Sequence, residues 1–318
     1  MVRVPLRVRF RGVDEREALL LRGPAGWGEF APFVEYGDSE AARWLAAAIE
    51  AAWVGPPAPV RDAVPVNATV PAVPAARVGE VLARFDGCRT AKIKVAEPGQ
   101  GPADDVDRVA AVRSHLGEAG RVRVDANGAW SVDDARRVLA RLAAYGLEYA
   151  EQPCAAVEDL AALRLALARD GVDVPIAADE SIRKADDPLR VRRLGAADVV
   201  VVKVAPLGGA RRAVRVVQDC GLPAVVSSAL DTSVGLAAGV ALAAALPELP
   251  YDCGLGTAAL LWGDVAADPL LPIGGRLPVR SVEVDETLAT MFEPPPSRVA
   301  WWRDRLRRAH ALLEAPTS

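Results

Sequence analysis

Lysine is almost missing from this chain. Of 38 basic residues only four are lysine, Lys92, Lys94, Lys184 and Lys203; the other 34 are arginine. Histidine is scarcer still, with only His115 and His310. The four cysteines (Cys88, Cys154, Cys220, Cys253) lie far apart with no Cys-x-x-Cys pair. That spacing argues against a thiolate zinc site and a disulfide scaffold, and it suits a reducing, cytoplasmic setting. There is no basic tract, and 38 basic against 42 acidic residues leave a net charge of −4. The positive face that a nucleic-acid partner requires is therefore absent. The longest apolar run, 234–246, has 13 residues, short of the roughly 20 that a bilayer-spanning helix needs. Thr232 or Ser233 can cap this run and Pro247 ends it, so it predicts a buried helix. The first ten residues, MVRVPLRVRF, alternate arginine with apolar residues and lack the apolar stretch of a secretion signal. No Gly-x-Gly-x-x-Gly follows a first strand, which removes the usual dinucleotide site.

What remains is ordinary globular material, 318 residues of which 51% are hydrophobic and 25% charged. That is enough for one large domain and a smaller one. Residues 2–10 alternate apolar and polar, 17–22 read as a second strand, 23–26 as a turn, and Asp38 or Ser39 opens a helix to about Trp53. Gly55-Pro56-Pro57 breaks it. Residues 1–63 thus predict the first part of an α+β capping domain.

The rhythm then changes. Eight short β-rich runs, at 66–70, 91–95, 122–125, 147–151, 174–179, 199–204, 224–228 and 251–254, are each followed by a stretch suited to a helix, such as 133–144 (with Ser131 as cap) and 157–169. Eight strand–helix repeats predict an α/β fold, a (β/α)8-type barrel over 64–265. The tail, 266–318, carries an alternating run at 281–285, a break at Glu293-Pro-Pro-Pro296 and an Arg-rich helix capped by Ser297. It is expected to pack back on the capping domain, with Trp301-Trp302 as core.

Barrel chemistry lies at the C-terminal ends of the strands. Those ends read Lys92-Ile93-Lys94, Arg123-Val124-Asp125-Ala126-Asn127, Glu151-Gln152-Pro153, Asp179-Glu180 and Lys203, and Lys94, Asp125, Glu151, Asp179 and Lys203 follow at spacings of 31, 26, 28 and 24 residues. Each spacing is about one βα unit, so consecutive strands deliver these side chains to one mouth. Lys92 and Lys94 share a strand face, as do Arg123, Asp125 and Asn127. Only lysine, not arginine, can lose its proton near neutral pH. Three of the four lysines sit inside apolar strands, where a charge is costly unless paired. Three neighbouring carboxylates, Asp125, Glu151 and Asp179, call for a cation; all-oxygen donors point to Mg²⁺ or Mn²⁺ rather than zinc. Neither histidine falls at a strand end, so Lys94 and Lys203 are the available bases, lowered by burial, by the ion and by Lys92. The implied reaction is proton abstraction beside a carboxylate, with the metal holding the charge that develops.

These five motifs together resemble the enolase superfamily in its muconate-lactonising branch. Within that branch, Gly26-Trp27-Gly28-Glu29-Phe30-Ala31-Pro32, Val124-Asp125-Ala126-Asn127-Gly128-Ala129-Trp130, Glu151-Gln152-Pro153-Cys154, Ala178-Asp179-Glu180-Ser181 and Gly254-Leu255-Gly256-Thr257 are similar to the short actinobacterial o-succinylbenzoate synthase family. The resemblance implies a small carboxylate substrate, 2-succinyl-6-hydroxy-2,4-cyclohexadiene-1-carboxylate, dehydrated toward menaquinone. It implies Lys94 as the base and acid, Lys203 on the opposite face, and Asp125, Glu151 and Asp179 on the metal. It also implies that the loop 26–32 closes over the barrel mouth, a plain hairpin turn being the other reading. A racemase or epimerase of N-acylamino acids or dipeptides would use the same two lysines. Dipeptide epimerases tend to carry Asp-x-Asp after strand eight, where this chain has Asp252-Cys253-Gly254. A barrel retained only for binding is the third reading, and the complete set of lysines and carboxylates speaks against it.

Other residues carry two readings each. Lys92 is a neighbour that tunes Lys94 or an ion-pair partner. Arg123 and Asn127 touch substrate or orient the residues that do. Ser227 and Ser228 contact substrate or merely end a strand. Glu180 is a ligand neighbour held in reserve, Leu207-Gly208-Gly209 approaches a ligand or is a turn, and Lys184 reads as a solvated charge. Nothing in the sequence sets an oligomeric state, and a monomer is compatible with it.

Overall fold

The structure, a computed structural model, describes residues 1–183 and 187–314; Lys184 lies outside them. Alternation builds the first sheet. In β1 (Val2–Phe10) Val2, Val4 and Leu6 are buried while Arg3, Pro5 and Arg7 face water, as a half-buried strand requires. It pairs antiparallel with β2 (Val13–Gly23), which pairs with β3 (Gly26–Phe30). Helix α1 (Asp38–Ile49) lays Trp44, Leu45 and four alanines on this sheet. The approach is close: a Cβ on Gly28 would lie 2.0 Å from Ala48 O. The helix runs on into a π turn, Glu50–Val54, and stops at Gly55, whose φ is 78°, a value that favours glycine.

The barrel comes next. β4 (Ala63–Pro65) leads to β5 (Ala68–Val70) and α2 (Val78–Leu82), β6 (Thr90–Lys94) and α3 (Pro102–Leu116), β7 (Arg121–Asp125) and α4 (Val132–Leu142), and β8 (Leu147–Glu151) and α5 (Val157–Arg169). Then come β9 (Ile176–Ala178) with α6 (Glu180–Arg183) and α7 (Arg190–Arg193), β10 (Val199–Val202) with α8 (Val204–Leu207) and α9 (Ala210–Cys220), and β11 (Ala224–Val226) with α10 (Ser233–Ala245). Strands β5 to β11 form one parallel sheet in sequence order. Local signals act where the sequence puts them. Ser131 Oγ accepts from Asp134 N at 3.1 Å at the start of α4, a cap, and α10, apolar all round, is buried along most of its length.

The eighth run behaves differently from the other seven. Residues 251–254 close the sheet through single parallel bridges, Val66 to Cys253 and Ser227 to Gly254, with Cys253 N donating to Pro65 O at 2.8 Å and Gly254 N to Val226 O at 2.8 Å. The run is too short to form a ladder, and its helix is reduced to a 3-10 turn, Thr257–Leu260. The (β/α)8-type barrel is therefore completed by a bridge rather than a full eighth unit.

Strand parity sorts the side chains. Ile93, Val124, Ala150, Ile176, Val200, Val202 and Val226 belong to the core beneath the helices. Tyr149, Ala177, Val199, Val201 and Val225 form a separate cluster inside the barrel. Residues of that second parity continue upward as Glu151, Asp179, Lys203 and Ser227, which positions the site.

The expectation that the whole tail packs on the capping domain needs correction. The alternating residues 281–285 form no strand; Val282 and Val284 pack on the barrel core. The tail also divides. β12 (Arg276–Pro278) pairs antiparallel with β4, and Leu270 and Leu277 join the barrel core. Later parts of the tail do reach the small domain: Glu283 Oε2 accepts from Trp27 Nε1 at 3.2 Å, Phe292 O accepts from Arg3 N at 2.8 Å, and after α11 (Glu286–Met291), α12 (Pro296–Glu314) sets Trp302 edge-on to Phe30 at 5.9 Å. Trp302 is core, whereas Trp301 is part-exposed beneath Arg298, whose guanidinium lies 4.2 Å from the ring.

Candidate active site

Lys92 and Lys94, two residues apart on β6, both point into the barrel, as do Asp125 at the end of β7 and Glu151 at the end of β8. Asp179 follows β9 and Lys203 follows β10. All six are buried, none more than 9% exposed. Charges this dry must be paired. Lys92 Nζ donates to both oxygens of Glu151 at 2.8 Å and lies 3.4 Å from Asp125. Lys94 Nζ donates to Asp125 and, at 2.8 Å, to Asn127 Oδ1. Lys203 Nζ donates to Asp179 Oδ2 at 2.6 Å, while Arg183 Nε donates to Oδ1 at 3.0 Å. In an eight-membered closed sheet β6 and β10 stand opposite each other, so Lys94 and Lys203 face across the mouth.

The electrostatics separate these groups. Burial pushes Lys94 below the ordinary lysine value, aided by Lys92 and Arg11 and opposed by Asp125. Burial acts on Lys92 too, but Glu151 and Asp125 outweigh it and raise it. Burial, then Asp125, push Glu151 up to about 7. Asp179 resists burial and falls, held by Arg183 and Lys203.

Among the described residues no three His, Cys, Asp or Glu side chains are grouped as a ready metal cage. Lysine and arginine nitrogens stand between the carboxylates instead. The donor set nevertheless fits a hard divalent cation: three carboxylates end adjacent strands, Asp125 and Asp179 add to burial in raising Glu151, and oxygen is their only donor type.

Above this floor is a cavity of about 220 Å³. Its barrel wall includes Lys92, Lys94, Asn127, Lys203, Ser227 and Ser228. Ser228 Oγ is 2.8 Å from both Gly254 O and Thr257 Oγ1, and Ser227 Oγ lies 3.5 Å from Gly254 O. A Cβ at Gly254 would sit 2.5 Å from Ser227 Oγ, so a side chain there would have to displace that hydroxyl. Arg123 is not in the wall. It lies deeper in the barrel, bound to Glu148 at 2.5 Å, Asp252 O at 2.6 Å and Asn67 at 3.1 Å, with its guanidinium over Tyr149.

The small domain supplies the rest, and here the sequence reading needs correction. Residues 26–30 are strand β3 rather than a lid; Glu29 is buried against the start of α10, with Thr232 N donating to it at 3.2 Å. The covering residues are Phe10, Arg11 and Val13 of the β1–β2 turn and Phe33, Glu35, Tyr36 and Trp44. Only the folded capping sheet reveals them; a positive φ of 51° at Arg11 marks the turn. Also missed were Gln152, whose Oε1 accepts from Asp179 N at 2.9 Å, Arg183, and Thr69, whose buried hydroxyl has no partner. Gly208 and Gly209 form a turn away from the cavity, beside Glu50. His115 and His310 lie on α3 and α12.

The family model described as Enolase C-terminal domain-like matches residues 75–284, and Enolase N-terminal domain-like matches 1–52. The chain is 61% identical over 311 residues to o-succinylbenzoate synthase of Thermobifida fusca (strain YX), covering 98% of this chain and 95% of that one. This chain belongs to the o-succinylbenzoate synthase family of the enolase superfamily. The o-succinylbenzoate synthase of Mycolicibacterium smegmatis is 59% identical over 314 residues, covering 98% and 95%. In fold the chain is similar to muconate lactonizing enzyme from Pseudomonas fluorescens complexed with muconolactone, with a TM-score of 0.77 at 24% identity over 92% of this chain and 97% of that one. Membership of the enolase superfamily implies dependence on a divalent metal. No helix among the described residues is long and apolar enough to cross a membrane.

Proposed function

We propose that this chain is an o-succinylbenzoate synthase, a lyase that dehydrates 2-succinyl-6-hydroxy-2,4-cyclohexadiene-1-carboxylate to o-succinylbenzoate on the way to menaquinone. The observation that carries the reading is the pair Lys94 and Lys203, which line one cavity from opposite strands of the barrel and are hydrogen-bonded to the buried carboxylates Asp125 and Asp179. The full-length likeness to o-succinylbenzoate synthases agrees with it. Asp125, Glu151 and Asp179 would hold Mg²⁺, which when bound supplies positive charge to the oxygens of the substrate carboxylate.

Lys94 acts first, as the neutral amine that burial favours. Its nitrogen takes the proton from the carbon bearing the carboxylate. The electron pair left behind forms the new ring double bond as the neighbouring C–O bond breaks. The departing hydroxide takes the same proton back from the Lys94 ammonium and leaves as water. One base on one face thus serves a syn elimination, and aromatisation drives it. Lys203, held by Asp179, offers an N–H from the other face to the carboxylate oxygens as negative charge builds there. Phe10, Phe33 and Trp44 exclude water above the ring. Ser227, Ser228 and the unpartnered hydroxyl of Thr69 are among the polar groups of the cavity wall that can meet the succinyl arm. Four free cysteines are in keeping with a cytoplasmic enzyme.

The test is direct. Purified protein with Mg²⁺ is expected to convert the cyclohexadiene substrate, followed by ultraviolet absorbance; Lys94→Ala, Lys203→Ala and chelator are each expected to abolish turnover. No turnover by the wild type, with α-proton exchange of N-succinylamino acids in deuterium oxide, would move the assignment to racemisation by the same two lysines.

A further inference from the structure

Asn127 stands between the candidate base and an acid the reaction does not use. Lys94 Nζ donates to its Oδ1 at 2.8 Å, and its Nδ2 donates to Glu180 Oε1 at 3.1 Å. A carboxamide has nearly the same shape either way round, so its neighbours decide which end faces the amine. Glu180 decides here. Its Oε1 accepts from the NH₂ end, which leaves the carbonyl to Lys94.

Glu180 is itself fixed. Arg183 Nη2 donates to Glu180 Oε1 at 2.7 Å, Arg183 Nη1 donates to Tyr36 Oη at 3.0 Å, and Arg183 Nε donates to Asp179 Oδ1 at 3.0 Å. Asp179 Oδ2 accepts from Lys203 at 2.6 Å. One hydrogen-bonded wall therefore runs from Lys94 through Asn127, Glu180, Arg183 and Asp179 to Lys203, and Tyr36 ties it to the small domain. Glu180 touches neither lysine and does not line the cavity. Its Oε2 is buried without a partner, so Oε1 alone makes its contacts.

We propose that Glu180 is a positioning residue for Lys94, acting through Asn127; this rests on Lys94 being the base. A neutral amine has two N–H bonds and one lone pair. With Asp125 and Asn127 Oδ1 each accepting one N–H, the lone pair has one direction left, into the cavity that Lys94 lines. Without Glu180 the Asn127 amide is free to turn its NH₂ toward the amine. Donor then faces donor, and the amine rotates away from the proton it should take.

The experiment measures kcat and KM for the dehydration, with thermal midpoints, in wild type, Glu180→Ala, Glu180→Gln, Asn127→Gly and the Glu180→Ala/Asn127→Gly double variant, with Lys94→Ala alongside. Glycine is used at 127 because Asn127 has a φ of 47°, which glycine adopts freely. Glu180→Ala is expected to lower kcat about 10- to 100-fold, the cost of a misdirected reacting group, with KM changed by less than about 3-fold. Glu180→Gln, which keeps an acceptor, is expected to restore most of kcat. The double variant is expected to be no slower than Asn127→Gly alone, because residues acting through one another do not add. A Glu180→Ala kcat within about 2-fold of wild type, or losses that multiply in the double variant, overturns the proposal. Should Glu180→Ala fail to fold, Glu180→Met keeps the bulk, removes the acceptor and carries the same expectations. Wild-type turnover in Lys94→Ala would instead overturn the base assignment itself.

Discussion

Lys92 shows how one residue serves two ends. Its ammonium lies against both oxygens of Glu151 and near Asp125, so it balances the carboxylates when no cation does. Removing one partner of a buried ion pair costs about 3–5 kcal/mol because the other charge stays buried. Lys92→Met is therefore expected to lower the thermal midpoint in metal-free buffer. Added Mg²⁺ is expected to raise the midpoint of the variant more than that of wild type, since the ion then does the balancing that lysine did. Equal shifts in calorimetry would show that Lys92 and the cation do not share those carboxylates. The other two lysines among the described residues are similarly bound by position: Lys94 and Lys203 each have a carboxylate within hydrogen-bond reach, and arginine in either place could not give up a proton.

Elements meet through caps as much as through apolar faces. Ser131 at the start of α4 is a local one, and Ser131→Ala is expected to cost about 1 kcal/mol in denaturant unfolding with no change in activity. Glu29 is a distant one. It extends from β3 to the first turn of α10, accepting from Thr232 N and Gly235 N, each at 3.2 Å. Burial, then Asp231, raise it from 4.5 to about 8, while Thr232 and Arg16 act the other way. The folded form therefore binds this proton more tightly than the unfolded form. Its contribution is complete below pH 4.5 and is lost as the pH rises to about 8. Glu29→Gln removes that titration, so stability measured by chemical denaturation should fall less steeply for the variant than for wild type across this range. Parallel curves would mean that Glu29 is charged throughout.

At the scale of the molecule, the small domain makes the cavity and the tail makes the small domain. Trp302 lies against Phe30, and Arg305 Nη2 donates to Phe33 O at 2.8 Å and Tyr36 O at 2.7 Å, bracing the segment that covers the site. Trp302→Ala is expected to cost about 3–5 kcal/mol through the void it leaves. It should also raise KM more than it lowers kcat, because the barrel floor stays intact while its cover loosens. A kcat loss without a KM change, in steady-state assays, would argue against this division of labour.

The barrel and its chemistry were legible in the sequence because both depend on short-range rules. A period of two along each strand puts Lys92 with Lys94 and Arg123 with Asp125, and one βα unit separates each strand end from the next. Lysine scarcity drew attention to Lys92, Lys94 and Lys203, which the folded barrel buries beside carboxylates. The cover of the site depends on contacts between residues far apart in the chain, and the sequence pattern does not encode those. The 26–32 segment looked like a lid, but 26–30 is a strand of the first sheet, while Arg11, Tyr36 and Trp44 cover the cavity because α1 and α12 press on that sheet. The depth of Arg123 was likewise hidden: it shares a face with Asp125 but lies one pleat lower, where Glu148, Asn67 and the closing segment bind it. Residue type and spacing determined which groups could react. Only the closure of the barrel and the docking of the small domain decided their depth, their partners and what surrounds them, because burial and pairing are properties of the packed chain.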